Sequence, residues 1–391
     1  MPVLSAPDRV TTVPDLGAAA RLVCRECGAT TPLAPSYACS ECFGPLEVGY
    51  EFGAVSRERI EAGPSNIWRY RDLLPVPARI AEIPNLEPGC TPLVRAHNLG
   101  RELGLRSLWV KDDSANPTHS FKDRVVAVAL AAAREFGFTT LACPSTGNLA
   151  NAVAAAAARA GIRSVVLVPA DLEQQKIVMT AVFGGTLVTV EGTYDDVNRV
   201  ASELAEEHED WAFVNVNVRP YYAEGSKTLG FEVAEQLGWR LPAQVVIPVA
   251  SGSQLTKVDK SFGELGTLGL VEPTPYRLFG AQAAGCSPVA AAFKAGHDVV
   301  APCGRRRSRS RSRSATRQTG PMCWTRAGAP AAGSRTSPTR RSSRGFGCWR
   351  APRGSSVRLR AGCRSRCCAS CWRAVSWTRM PTRSCSTPVT G

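Results

Sequence analysis

Between about residues 105 and 300, short apolar runs alternate with longer stretches of helical character. The runs Thr139–Cys143, Ser164–Val168, Thr186–Val190, Ala212–Asn215 and Gln244–Pro248 predict strands. The stretches Leu149–Ala160, Tyr194–Glu209 and Thr228–Leu237 predict helices. Alternation of this kind argues for α/β layers with largely parallel sheets. Ligands of such sheets bind outside the carboxyl ends of the strands, where Ser145, Asn148 and Ser251 fall. Earlier, a short strand candidate, Ser107–Lys111, and a strongly helix-forming run, Val125–Arg134, flank a polar loop. Lys122 sits where that loop becomes a helix, behind Ser and Thr residues suited to capping.

Outside this region the pattern changes. Residues 1 to about 20 lack periodicity. Two Cys-x-x-Cys knuckles follow, Cys24 with Cys27 and Cys39 with Cys42, with Gly28 and Gly44 behind them where tight turns are needed. Four thiolates so paired satisfy a tetrahedral zinc site of the closed, structural kind. Two disulfides or a metal-free vestige of a ribbon are the alternatives. Residues 56 to 104 carry Trp68, Tyr70, several prolines and the segment Leu86–Leu93, in which Cys90 reads as a packing residue.

The formal charge of +14 invites a nucleic-acid or membrane partner. Placing the charges withdraws the invitation. From Arg305 onward there are 21 of the 47 basic residues, all Arg, with no Asp or Glu, so the 33 acidic residues outnumber the basic ones in the remainder. No stretch resembles a signal peptide or a membrane span, which makes the cytoplasm the default expectation.

Two places carry candidate chemistry. A lysine at a helix start gains nothing from the macrodipole, whose positive end lies there, and Phe121 beside Lys122 is apolar. An amine so placed is a Schiff-base candidate; the plain alternative is a solvated basic residue in a loop. Residues 251–257 follow an apolar strand and lead into a helix, and a small-residue turn with free backbone N–H groups there is a phosphate cradle. The plain alternative is an ordinary strand-to-helix turn.

The run Asn116–Arg124, reading Asn-Pro-Thr-His-Ser-Phe-Lys-Asp-Arg, resembles the pyridoxal-phosphate lysine motif of the threonine synthases, in the tryptophan-synthase-β-like family of fold type II. Pro144–Asn148, Tyr221–Thr228 and Ile247–Gln254 are similar to three further motifs, in the family's order. The resemblance implies two three-layer α/β/α domains with largely parallel sheets. It divides the chain into a zinc-ribbon-like segment, 1–50, a catalytic core, 51–303, with a small domain over roughly 130–215, and a tail, 304–391. It implies conversion of O-phospho-L-homoserine and water to L-threonine and phosphate, a carbon–oxygen lyase reaction on a phosphate ester. Lys122 would hold pyridoxal phosphate and serve as base. Asn148 would face the ring hydroxyl, and Ala250, Ser251, Gly252, Ser253 and Gln254 would bind the cofactor phosphate, although Ala250, Ser253 and Gln254 depart from the family's more glycine-rich loop. Ser145 and Thr146 would lie near the substrate carboxylate, and Lys111, Arg124 and Lys227 would help the leaving phosphate or form salt bridges. A homo-oligomer is compatible with this reading.

The nearest rival is a cysteate-synthase-like enzyme acting on O-phosphoserine, and a different class is an Arg-rich zinc-ribbon nucleic-acid binder. His119 and Asp123 depart from the lysine motif of threonine dehydratases. The tail is Arg/Ser-rich and holds eight of the fifteen cysteines from Cys303 onward. Read two nucleotides later, Ala351–Cys363 permits Thr-Glu-Gly-Ile-Phe-Gly-Glu-Thr-Ala-Gly-Gly-Val, and Arg306–Arg326 and the last residues likewise permit threonine-synthase-like text. The expectation is a shifted reading frame, with a disordered or poorly packed tail; whether activity survives the altered C-terminus stays open at this point.

Overall fold

The computed structural model describes residues 14–80, 84–284, 287–297 and 299–300. The tail from 304 to 391, with the reading-frame and disorder expectations attached to it, lies outside the described residues.

Strands β1 (Ala19–Cys24), β2 (Thr30–Thr31) and β3 (Leu46–Tyr50) form an antiparallel sheet in the order β2-β1-β3. Leu22 and Cys24 of β1, and Leu46 and Val48 of β3, alternate inward with the period of a strand that buries one face. Helix α1 (Arg57–Glu61) is capped by Ser56, whose side chain accepts from the Arg59 N–H. A 3-10 segment, Ile67–Leu73, then buries Ile67, Trp68, Tyr70 and Leu73. Next come β4 (Leu93–Arg95), α2 (His97–Glu102) and β5 (Trp109–Lys111), with β4 and β5 antiparallel.

Helix α3 (Lys122–Glu135) is interior on almost every side, from Asp123 to Ala133. It is followed by β6 (Thr140–Pro144), α4 (Asn148–Ala160), β7 (Arg163–Pro169), α5 (Gln174–Ala181), β8 (Thr186–Val190), α6 (Tyr194–Glu207) and β9 (Trp211–Phe213). The strands make an all-parallel sheet, β8-β7-β6-β9. Central β6 is buried at every position, as a parallel strand covered on both faces requires. Thr193 and Asp196 form a capping box that starts α6.

The chain continues through α7 (Arg219–Glu224), α8 (Lys227–Gln236), β10 (Gln244–Pro248), α9 (Ser253–Thr267), β11 (Arg277–Ala281) and α10 (Pro288–Ala295). Strands β10 and β11 pair in parallel. Among the described residues they form a sheet by themselves, and Val246 is 57% exposed on it. The N-terminal sheet is not a detached module: Leu22, Cys24, Leu46 and Val48 share one apolar cluster with Val125, Tyr221, Leu255 and Phe262. Among the described residues no helix is long and apolar enough to cross a membrane.

Candidate active site

Lys122 is the first residue of α3. The helix has no side-chain cap at Phe121; instead Ser120 Oγ accepts the Lys122 N–H at 3.1 Å, and the Asp123 carboxylate accepts the N–H and hydroxyl of Thr118 at 2.7 and 2.6 Å. Asp123 therefore fastens the loop to the helix. Burial pushes its carboxyl up to about 6, against the pull of the Thr118 donors. His119 holds φ +57°, a left-handed conformation uncommon for a side chain, with its Nδ1 3.0 Å from Ser114 O.

The Lys122 amine donates to Tyr222 Oη at 2.7 Å and lies 5.4 and 5.3 Å from the Phe121 and Tyr222 ring centroids. Among the described residues no carboxylate is within ion-pair reach of it. Its charge acts on Cys143 in β6, whose thiol burial pushes up. Cys143 lies near the carboxyl end of β6, and the turn after that strand holds Ser145, Thr146 and Asn148. Ser145 is buried, its Oγ accepting the Gly147 N–H at 3.3 Å, and half-buried Asn148 begins α4.

A second turn lies at the carboxyl end of β10. Gly252 there has φ +87° and precedes a helix with no side-chain cap, so the first N–H groups of α9 are not taken by a capping side chain. The conformation suits glycine, and those N–H groups suit a phosphate. Phe121, Cys143, Leu149, Tyr222, Ile247 and Leu255 belong to one apolar cluster, the main core.

Helix α7 ties these parts together. Tyr222 reaches Lys122, Tyr221 Oη donates to Ala34 O and accepts the Ala34 N–H at 2.9 and 3.1 Å, and Glu224 accepts from Lys257 of α9 at 2.6 Å. Gly225 ends the helix where a Cβ would stand 2.6 Å from Arg124 O, so any side chain there would drive α7 off α3. The Tyr221–Thr228 motif was legible as a motif, yet nothing in it indicated that Tyr222 touches the lysine.

Arg124, Lys227 and Lys111, expected to help a leaving phosphate or to form surface salt bridges, each form ion pairs, which lie in the interior rather than on the surface. Arg124 is fully buried; Asp113 takes its Nε and Nη2 at 2.8 and 2.9 Å, Glu232 takes its Nη1 and Nη2 at 2.5 and 2.8 Å, and Thr91 and Thr228 add hydroxyls. Lys227, also fully buried, meets Glu224 and Glu264, each at 2.9 Å, and Leu73 O at 2.8 Å. Lys111 donates to Glu232, Thr91 O and Gln236. A phosphate could recruit these cations only by leaving buried carboxylates unpaired.

Arg219, which sequence reasoning passed over, differs from them. It starts α7 and is half-buried, and no carboxylate among the described residues pairs with it. Burial pulls its guanidinium below the usual arginine value, against the nearby phenols of Tyr222 and Tyr37. A cation in such a position suits an anionic ligand near Lys122.

At the far end of the N-terminal sheet the thiols of Cys24, Cys27, Cys39 and Cys42 lie within 4.8 Å of one another. The Sγ separations are 3.4 Å for Cys24–Cys42 and 3.7 Å for Cys27–Cys39, close to the ~3.8 Å edge of a tetrahedron built on zinc–sulfur bonds of about 2.3 Å. Gly28 takes φ +77° behind the first knuckle; burial acts to raise the Cys24 thiol, and the N–H groups of Cys27 and Glu26 together with the Cys42 and Cys27 thiols bring it down to about 6.

Residues 85–327 match the family model described as pyridoxal-phosphate dependent enzyme. The threonine synthase of Methanosarcina acetivorans is 35% identical over 285 residues, covering 72% of this chain and 69% of that protein. That of Methanocaldococcus jannaschii is 35% identical over 283 residues, covering 71% and 69%. That of Mycobacterium tuberculosis is 36% identical over 227 residues, covering 58% and 62%. Among solved structures, maize serine racemase aligns with a TM-score of 0.49 at 20% identity, over 65% of this chain and 69% of that one.

Proposed function

The chain belongs to the pyridoxal-phosphate-dependent enzyme family, and from that premise we propose that it converts O-phospho-L-homoserine and water to L-threonine and phosphate at Lys122. The relatives that align with most of the chain are threonine synthases, and pyridoxal phosphate is the cofactor of the family. The observation that carries the reading is the Lys122 amine, poised at a helix start with a hydroxyl partner and no carboxylate among the described residues. The turn at Gly252, with its uncapped N–H groups, fits the cofactor phosphate on chemical grounds.

Pyridoxal phosphate, when bound, supplies the electron sink that makes protons next to an amino-acid carbon removable. Lys122 would anchor it, Asn148 would hydrogen-bond its ring hydroxyl, and Ala250–Gln254 would bind its phosphate through main-chain N–H groups. Ser145 and Thr146 would receive the substrate carboxylate. Lys122 Nζ, once free, would take the α-proton and then a β-proton, return a proton at the γ-carbon after phosphate leaves, and protonate the α-carbon after water adds at the β-carbon. Arg219 is favoured as partner of the leaving phosphate, because using it breaks no internal ion pair.

Two results are expected. Chain supplied with pyridoxal phosphate and O-phospho-L-homoserine forms threonine and phosphate in equal amounts; phosphate release only from O-phospho-L-serine with sulfite would favour the cysteate-synthase-like alternative. Arg219→Gln raises KM about ten- to a hundredfold, the worth of one hydrogen bond to a charged group, with a smaller effect on kcat.

We read the four cysteines as a structural zinc site that braces the N-terminal sheet against α7 and α9. Arg25, between the first two thiols, pairs with Glu47 at 3.1 Å, and Glu47 pairs with Lys257 at 2.9 Å. Elemental analysis of the purified chain is expected to give about one zinc per chain, and chelation to lower the melting midpoint by about 2–4 °C for each kcal/mol lost. Four titratable thiols and no metal would remove this site.

A further inference from the structure

We propose that Tyr222 is a positioning residue for Lys122: its hydroxyl holds the amine in the resting chain and gives it up when a carbonyl carbon takes the nitrogen. The proposal rests on the reading of Lys122 as the reacting amine. Among the described residues the Tyr222 phenol is the hydrogen-bond partner of Nζ, at 2.7 Å, and the Phe121 and Tyr222 rings flank it. A four-carbon side chain held only by ring faces would sample many rotamers; one hydroxyl selects a position.

The hydroxyl is itself fixed from both sides. One residue before it, Tyr221 is pinned to Ala34 by two hydrogen bonds. Two residues after it, Glu224 is fully buried among Lys227, Lys257, Lys260 and the Tyr50 hydroxyl, at 2.9, 2.6, 3.0 and 2.7 Å. Gly225 then seats the helix end against the α3 backbone. The separation of Tyr222 Oη from Lys122 is therefore set by anchors that do not involve the lysine.

When Nζ attacks an aldehyde, a carbon–nitrogen double bond replaces the carbonyl and two N–H protons leave with its oxygen as water. Tyr222 keeps its own proton and loses only the N–H it had accepted. Its hydroxyl meets the amine, so its contribution acts through Lys122.

Two probes applied to the full chain separate positioning from packing. Pyridoxal phosphate followed by borohydride reports capture by a placed amine, and formaldehyde with cyanoborohydride reports a free amine without needing any cofactor site. Both are quantified on the peptide bearing Lys122, across pH. Tyr222→Phe retains the ring and is expected to slow pyridoxal-phosphate capture about tenfold while speeding methylation near neutral pH, the loss of one charge-assisted hydrogen bond. Tyr222→His, which restores a polar atom, should recover part of the capture rate and serves if the Phe variant does not fold. Tyr221→Phe loosens one anchor of that hydroxyl at Ala34 and should move both rates in the same senses as Tyr222→Phe, by a smaller factor. Rates that Tyr222→Phe leaves unaltered, that move in the same direction in both probes, or that Tyr221→Phe changes by as much as Tyr222→Phe would overturn the assignment. Absence of pyridoxal-phosphate labelling at Lys122 in the unmodified chain would defeat the functional reading instead, and the methylation pair would then decide Tyr222.

Discussion

Lys122→Ala is expected to lower threonine formation at least about a thousandfold and to abolish cofactor retention through dialysis, while leaving the fold intact. Two roles fall on one nitrogen, covalent anchor and proton carrier, and a positioned acid–base group alone contributes about 10²- to 10⁴-fold. The side chain is only partly buried and its amine has one hydrogen-bond partner among the described residues. Removing it leaves Tyr222 Oη without that donor but strands no buried charge, so the melting midpoint should move little. Turnover, dialysis and a melt on the same preparation check this. Retained activity with an unchanged melt would displace Lys122 from the centre of the account.

The largest effect on stability is expected one helical step away. Arg124→Met is expected to destabilise the chain by about 3–5 kcal/mol, because it leaves Asp113 and Glu232 buried without their shared cation. Burial alone would raise the Glu232 carboxyl, yet Arg124, assisted by Lys111, brings it down to about 2. A carboxyl lowered on folding adds stability that is complete above its unfolded value of about 4.5 and is lost as pH falls towards about 2. The gap between native and variant chains should therefore be widest near neutrality and narrow over that acid window. Denaturant midpoints measured across it test the pairing; a gap independent of pH would assign the loss to packing rather than charge.

The contrast between Lys122 and Arg124 also explains which parts of the molecule were legible beforehand. Periodicity placed strands β6 to β9 and helices α4 and α6 to within a few residues, since buried parallel strands and amphipathic helices write their burial into spacing; it gave neither α5 nor the strand order. The lysine, the two turns and the four cysteines were visible because their chemistry needs particular residue types at short range. Burial of a charge is different. Residues two apart on a helix point about 200° apart, so Lys122 meets Tyr222 of α7 while Arg124 faces the interior. That choice depends on Asp113 and Glu232, distant in sequence from each other. Lys227 is interior for the same reason, through Glu224 and Glu264. Tyr222 and Arg219 gain their meaning only from the way α7 lies across α3, which Gly225 permits and no local pattern records.

The most direct measurement treats the full chain with pyridoxal phosphate, reduces it with borohydride and maps the modified peptides by mass. The account predicts one dominant adduct, on the peptide carrying Lys122, formed faster than on any surface lysine. Labelling spread over exposed lysines, with Lys122 unmodified, would contradict it.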